Sequence, residues 1–384
     1  MKQRLHPLTQ ALALILPIGG LQFSPSVALA DLQSTTSVVF SGNTSNSVIT
    51  GGKFGGRTVN DDGSTIKTVD LPTFSPTTGV LTGAQLSIKT PQPSKIGTAR
   101  SFFQQTVDVN NLGNPGGGKF AGSSNGEVSV GFSGPGASAS SAQFSLTSTC
   151  LNTFQSGCTS TNKATQGFSL SSTVGGGDLE NYVGEKGTVL VKLTTPTFRL
   201  DAGNGIANVR GSQTVTWKGN LAATYSFLEH AAPSFSLSTP QTALTLDFGT
   251  LQLGASKTLN WSISSPGNSN TVGLDFDSFS SSSADSAKFN IGANLFTNLA
   301  AGTKKDFTAA FDTSKSGSFI ANYLLQFSDA NVGASSTRFN YDLNLTLKGA
   351  VSQPVPLPAA WTLMVGPVLG CLFGRKSRKR RESS

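Results

Sequence analysis

Apolar and polar residues alternate with a period of two along most of this chain. The pattern is clearest in Glu127-Val128-Ser129-Val130-Gly131-Phe132, Thr188-Val189-Leu190-Val191-Lys192-Leu193, Gln213-Thr214-Val215-Thr216-Trp217 and Leu221-Ala222-Ala223-Thr224-Tyr225-Ser226-Phe227. Successive side chains of a strand point to opposite faces, so each run predicts a half-buried β-strand. Between the runs stand Gly51-Gly52, Asp61-Asp62-Gly63, Asn114-Pro115-Gly116-Gly117-Gly118 and Gly175-Gly176-Gly177. These residues favour turns, either by tolerating positive φ or by bonding their own backbone. No window of helical period rivals the strand pattern, and residues 31–232 are predicted to form one β-rich unit.

The texture changes at Ala231-Ala232-Pro233, where a second unit, residues 233–350, begins. Leu244-Thr245-Leu246-Asp247-Phe248-Gly249 predicts a strand closed by a Gly turn, and Leu251-Gln252-Leu253-Gly254 leads on to Lys257–Ile263. Asp306–Phe311, Phe319–Phe327 and Tyr341–Leu347 supply three more, with turn chemistry at Ser265-Pro266-Gly267-Asn268 and Ala300-Ala301-Gly302. Five or more strands in about 115 residues suit an immunoglobulin-like sandwich. The predicted fold is therefore all-β: two consecutive antiparallel β-sandwiches, immunoglobulin-like or jelly-roll-like, between a helical leader and a C-terminal apolar helix.

Both ends depart from the alternating pattern. Lys2, Arg4 and His6 precede an apolar stretch from Leu8 to Leu21, and Ala28-Leu29-Ala30 ends in a small-residue A-x-A site. Residues 1–30 thus read as a secretory signal peptide cut between Ala30 and Asp31. A first transmembrane helix is the competing reading, but Pro17, Gly19 and Gly20 interrupt a run that is already short. At the other end, Val355-Pro356-Leu357-Pro358 precedes an apolar span, 359–374, that includes Trp361, Leu363, Val365, Leu369 and Phe373. Arg375, Lys376, Arg378, Lys379, Arg380 and Arg381 follow at once. From Leu357 to Gly374 there are 18 residues without a charge. As a helix they reach about 27 Å, a marginal match to a hydrocarbon core of about 30 Å. The basic residues act as a stop-transfer flank and keep the terminus, 375–384, in the cytoplasm. A solvated basic arm is the alternative, and the adjoining apolar run argues against it.

These ends change what the composition means. The chain holds 28 Lys+Arg against 20 Asp+Glu, yet two cations precede Asp31, and six cations with one acid follow Gly374. The intervening body is left near +1, which removes the electrostatic case for nucleic-acid binding. Charged residues are 12% of the chain, about half the usual share, so repulsion between copies is weak. The 25 Phe give the body material for a core.

Candidate chemistry is sparse. Cys150 and Cys158 bracket a short polar loop, and in an oxidising compartment they are expected to bridge and close a hairpin. As metal ligands they would lack partners, since His230 is the sole His of the body. Cys371 falls inside the apolar span, as inert packing or as an acylation site. A Ser-His-Asp triad would have to use His230, which reads instead as a linker residue. Glu127, Glu180, Glu185 and Glu229 are scattered candidates for a glycosidase acid pair. Asp275 with Asp277, or Asp61 with Asp62, offers a fragment of a calcium site without the rest of a ligand set. Gly116–Gly118 and Gly175–Gly177 lack the following helix and Lys-Ser/Thr of a phosphate cradle. Trp217, Trp261, Tyr182 and Tyr225 would serve a carbohydrate-binding module if exposed, and core packing is the competing role for each.

Three stretches carry resemblances. The order Pro-x-Pro, short apolar span, basic terminus resembles the PEP-CTERM sorting signal, and Val355-Pro356-Leu357-Pro358-Ala359 resembles its VPLPA variant, with Leu357 in the place of the usual Glu. That resemblance implies an exosortase as processing partner, cutting near Pro356–Pro358. Leu71–Ile88, with Asn181-Tyr182-Val183-Gly184 and the strands at Trp217 and Tyr225, resembles a choice-of-anchor E domain. Leu246-Asp247-Phe248-Gly249, Gly302-Thr303 and Gly317-Ser318-Phe319 resemble ASPM/SPD-2/Hydin, choice-of-anchor D-like domains. Together these imply a non-catalytic, exported surface or extracellular-matrix protein. It would use the Sec machinery and pass transiently through the cytoplasmic membrane. Exopolysaccharide or neighbouring copies would be its partners, and no cofactor or metal is called for. A carbohydrate-binding or adhesin module is the alternative, and an extracytoplasmic hydrolase a more distant one.

Overall fold

The computed structural model describes residues 31–51, 59–61, 64–90, 102–111, 120–152, 158–184, 187–202 and 208–353. The leader with Ala28 and Ala30, the motif Val355–Pro358, the apolar span and the basic tail lie outside the described residues, as do Asp62, Glu185 and the side chains of Asp61 and Cys158.

The first unit contains β1 (Leu32–Gly51), β2 (Val59–Asp61), β3 (Ser64–Leu71), β4 (Val80–Thr90), β5 (Phe102–Asn111) and β6 (Phe120–Gly134). It continues with β7 (Ala137–Ser140), β8 (Phe144–Asn152), β9 (Cys158–Gln166), β10 (Phe168–Thr173), β11 (Gly187–Ala202) and β12 (Asn208–Leu228). One sheet is organised on β12. β1 runs antiparallel along it from Leu32↔Phe227 to Gly51↔Asn208, while β4 and β5 share its other edge and carry β10 and β9. The second sheet is organised on β11, with β6 on one edge and β2 and β3 sharing the other; β7 and β8 share the far edge of β6.

The two strands expected at Gln213–Trp217 and Leu221–Phe227 are a single one, β12, because its alternation passes through Gly219 without a turn. Val215, Trp217, Leu221, Ala223 and Tyr225 all face inward and are buried. Gly219 is an inward position where the Phe40 ring lies so close that a Cβ would meet it at 2.3 Å. Across the same ladder, a Cβ on Gly42 would meet the Trp217 ring at 2.2 Å. Glycine here provides room for a ring, not a turn. Further down β12 the interior turns polar. Gln213 is buried with both amide atoms lacking a hydrogen-bond partner, and so is Ser124 Oγ on β6.

The second unit contains β13 (Ala243–Gln252), β14 (Thr258–Ser265), β15 (Leu274–Ser281), β16 (Phe289–Asn290), β17 (Phe296–Leu299), β18 (Thr303–Phe311), β19 (Gly317–Asp329) and β20 (Asn340–Ser352). A five-stranded sheet in the order β13-β20-β19-β15-β17 faces a three-stranded one, β14-β18-β16. Most pairs are antiparallel as expected, but β13 runs parallel to β20. Gly249, expected to close a strand, is instead a bulge within β13. Its φ is 70° and its N–H bonds Asp247 Oδ1 at 2.8 Å, while the register shifts between Asp247 and Thr250. The core between the sheets is largely aromatic, with Phe289 stacked on Phe311 at 4.8 Å, Trp261 on Phe307 at 4.7 Å and Phe276 on Phe327 at 4.8 Å.

Buried apolar residues fall into two clusters. One is drawn from Phe40 to Phe227 and the other from Leu228 to Val351. Two residues cross over: Val80 belongs to the second cluster and Ala334 to the first. The chain is thus an all-β protein of two sandwiches that, among the described residues, interlock where the β19–β20 loop meets the start of β4.

Candidate functional site at the joint between the sandwiches

The loop Ala330–Phe339 leaves β19 and reaches across to the first sandwich. Ala334 N–H donates to the Leu81 carbonyl at 2.9 Å, and Leu81 N–H donates to Thr337 Oγ1 at 3.1 Å. The approach is so close that a Cβ on Gly333 would lie 2.0 Å from the Leu81 carbonyl oxygen. Beside this contact the Glu180 carboxylate accepts hydrogen bonds from the backbone N–H and hydroxyl of both Ser335 and Ser336. The Ser336 hydroxyl above all, against a smaller opposing effect of burial, holds the Glu180 carboxyl below the usual glutamate range.

On the other side of the loop stands a polar network centred on Asp329, whose side chain is fully buried. Its Oδ1 accepts from Ala231 N–H at 2.9 Å and Tyr341 O–H at 3.0 Å, and its Oδ2 accepts from Phe339 N–H at 2.8 Å. Oδ2 also lies 2.8 Å from His230 Nδ1, and His230 Nε2 lies 2.7 Å from the Pro76 carbonyl oxygen of the first sandwich. The imidazole is stacked on Phe339, with ring centroids 4.0 Å apart and planes inclined by 12°. Burial alone would raise the Asp329 carboxyl, but the donors around it leave it below the ordinary aspartate value. For Tyr341, burial first and then the Asp329 charge push the phenol far above its usual value.

Arg338 completes the network. Its Nε donates to the Asp329 carbonyl at 2.6 Å, and its Nη2 donates to Asp275 Oδ2 at 3.1 Å and Ser328 Oγ at 2.9 Å. Asp275 Oδ1 accepts from Asn298 N–H at 2.7 Å. A groove of about 490 Å³ adjoins the joint, with Pro233, Leu237, Pro240, Pro266, Tyr341 and Leu343 among its lining.

The fate of each sequence candidate follows from this geometry. His230, expected as a linker residue, bonds both sandwiches. It has the acid partner of a triad in Asp329, but a backbone carbonyl occupies the place where a triad sets its hydroxyl. Asp275 and Asp277 do not form a cation site together. Asp275 is already neutralised by Arg338, the register shifts between Phe276 and Ser278, and Asp277 is exposed. Among the described residues no group of three or more His, Cys, Asp or Glu could hold a metal.

Glu127 is half-buried on β6, Glu229 is exposed next to His230, and Glu180 is engaged by the two serines. Cys150 is buried at the end of β8 and takes part in a disulfide. The proposed sugar-binding rings are core residues: Trp217, Trp261, Tyr182 and Tyr225 are between 1% and 5% exposed. The hydroxyls of Tyr182 and Tyr225 donate to the carbonyls of Pro135 and Pro72, each at 2.8 Å. Burial leads in pushing both phenols up to about 12. Core packing is thus the role these rings have, and the alternative that needed them exposed loses its aromatic candidates, because each fills an inward position of a strand or turn. Asp329 and Arg338, the centre of the joint, had no sequence signal beyond standing next to strand ends.

No protein family and no curated protein matches the chain. Among solved structures, it is similar to an ASH/PapD-like domain of human CEP192 at 10% identity, TM-score 0.22, over 29% of this chain and 82% of that one. It is also similar to the Vibrio cholerae VesB protease at 12% identity, TM-score 0.23, over 34% of this chain; the match spans 37% of that protein's length. At these scores the likenesses carry no functional argument.

Proposed function

We propose that this chain is a non-catalytic exported protein of the cell surface or extracellular matrix, handled by a C-terminal sorting signal. The observation that carries the reading is the order Val355-Pro356-Leu357-Pro358, apolar span 359–374, and six cations from Arg375 to Arg381. The leader directs the chain to the Sec machinery. The tail holds it transiently in the cytoplasmic membrane, where an exosortase cuts near Pro356–Pro358 and frees a body spanning 31 to about 358. A disulfide between Cys150 and Cys158 fits that oxidising destination. Two sandwiches of low charge, with hydroxyl- and amide-rich outer faces, suit association with exopolysaccharide or with like copies.

Mass spectrometry of the protein recovered from its native cells tests the proposal. The expected masses begin at Asp31 and end near residue 358. An intact tail on the mature protein would overturn the processing step. A variant lacking residues 355–384 that still reached the surface or matrix in normal amounts would overturn the sorting role.

A further inference from the structure

We infer that His230 is a proton-operated latch between the two sandwiches, closed when both ring nitrogens carry protons and released from Pro76 when Nε2 loses its proton. Both nitrogens face oxygen acceptors, Asp329 Oδ2 at 2.8 Å and the Pro76 carbonyl at 2.7 Å. A neutral imidazole has a single N–H, so it can bond one of these oxygens and must turn a lone pair toward the other. The imidazolium bonds both. Its charge is met by Asp329, whose carboxylate is held ionised by the N–H groups of Ala231 and Phe339 and by Tyr341 O–H, and by the face of Phe339.

The other charged groups around the ring are accounted for. From the loop entering β20, Arg338 turns its guanidinium to Asp275 on β15 and to the Asp329 carbonyl. On the ring's own segment Glu229 is exposed. On the first sandwich, the turn Pro76–Thr78 presents a carbonyl and no charge, and Glu180 is turned to Ser335 and Ser336.

The sign of the pH response follows. Burial pushes His230 down, but the hydrogen bonds to Asp329 and Pro76 and the Asp329 charge outweigh it, so its folded value lies above 6.5. A group raised on folding stabilises fully below its unfolded value and loses that contribution as pH climbs through the folded one. Asp329 shifts below 3.8, so its part is lost only in strong acid. The joint is tightest in mildly acidic solution and loosens toward alkaline pH. Its other contacts, Glu180 with the serines and Leu81 with Ala334, involve no group that titrates there, so the release is local to Pro76–Thr78.

The chain has two histidines, His6 and His230, which makes the test direct. In the full chain labelled with ¹⁵N-histidine, His230 is expected to show two protonated ring nitrogens at pH 6 and a titration midpoint above 6.5. Hydrogen exchange of residues 74–79, corrected for intrinsic rates, is expected to accelerate by up to about tenfold per pH unit between pH 6.5 and that midpoint and to level off above it. The same amides in His230→Gln should show no such rise. A ring that is singly protonated at pH 6 would overturn the latch, and that measurement needs no variant. Identical pH dependence in wild type and H230Q would overturn it independently.

Discussion

Replacing Gly333 by alanine tests whether the two sandwiches are locked by a backbone contact. The added methyl would sit 2.0 Å from the Leu81 carbonyl oxygen and 2.8 Å from its carbon, both backbone atoms that cannot swing aside. The loop must lift, breaking the bonds from Ala334 N–H to Leu81 O and from Leu81 N–H to Thr337 Oγ1. Each such bond contributes about 1 kcal/mol net, and a buried group left unpaired costs about 1–3 kcal/mol. The sum is about 2–5 kcal/mol. For units of this size 1 kcal/mol moves Tm by about 2–4 °C, so a loss of about 3 kcal/mol should lower it by about 6–12 °C. Differential scanning calorimetry is the assay, and the wild type is expected to melt in one transition that G333A splits or lowers. Gly176→Ala is the control, since no atom lies within 4 Å of its added Cβ. If G333A melted within 1 °C of that control, the argument for a rigid joint would fail.

Four other outcomes are expected. Phe248→Ala removes a fully buried ring packed against Phe289 and Phe311 and should cost about 3–5 kcal/mol in chemical denaturation, with a cost below 1 kcal/mol counting against the aromatic core. Cys150→Ser should lower stability by about 2–3 kcal/mol under oxidising conditions and little under reducing ones, and peptide mapping without reductant should recover Cys150 joined to Cys158. Glu180→Gln should remove a small contribution, at most about 1 kcal/mol, because the carboxylate is exposed. Since its folded value is depressed, that contribution should be present above pH 4.5 and disappear as acid protonates it, so wild type and E180Q should converge at low pH in thermal melts. Gln213→Met exchanges two unpaired buried polar atoms for a thioether of similar volume and should raise Tm, where a fall would show that the amide has a partner.

The strands and the change of texture near Pro233 were legible because alternation is a local signal that needs no knowledge of the fold. The separation of Gln213–Trp217 from Leu221–Phe227 across Gly219, and the strand end set at Gly249, differ from the structure for one reason. Glycine marks a turn, a bulge or a place for a ring, and only the neighbouring strand decides which. The parallel pairing of β13 with β20 joins strands about a hundred residues apart, for which the sequence holds no turn to read. The joint was the least visible feature. Glu180 lies 155 residues from Ser335 and His230 lies 99 from Asp329, so neither pairing leaves a spacing pattern. His230 was at least located at the join; that it bridges rather than links depends on where the turn at Pro76 comes to rest.

The ladder of β1 with β12 carries a further consequence. β1 is rich in Ser, Thr and Asn, and such a strand offers little to distinguish one pairing from the same pairing shifted by two residues. Phe40 opposite Gly219 and Gly42 opposite Trp217 break that degeneracy. Each ring fits only over the glycine facing it, and a shift would drive it into a neighbouring side chain. The two pairs act as a key with teeth on both strands, so alignment of a 20-residue strand rests on four residues. Exchanging either glycine for serine would leave composition almost unchanged and let the whole ladder slide.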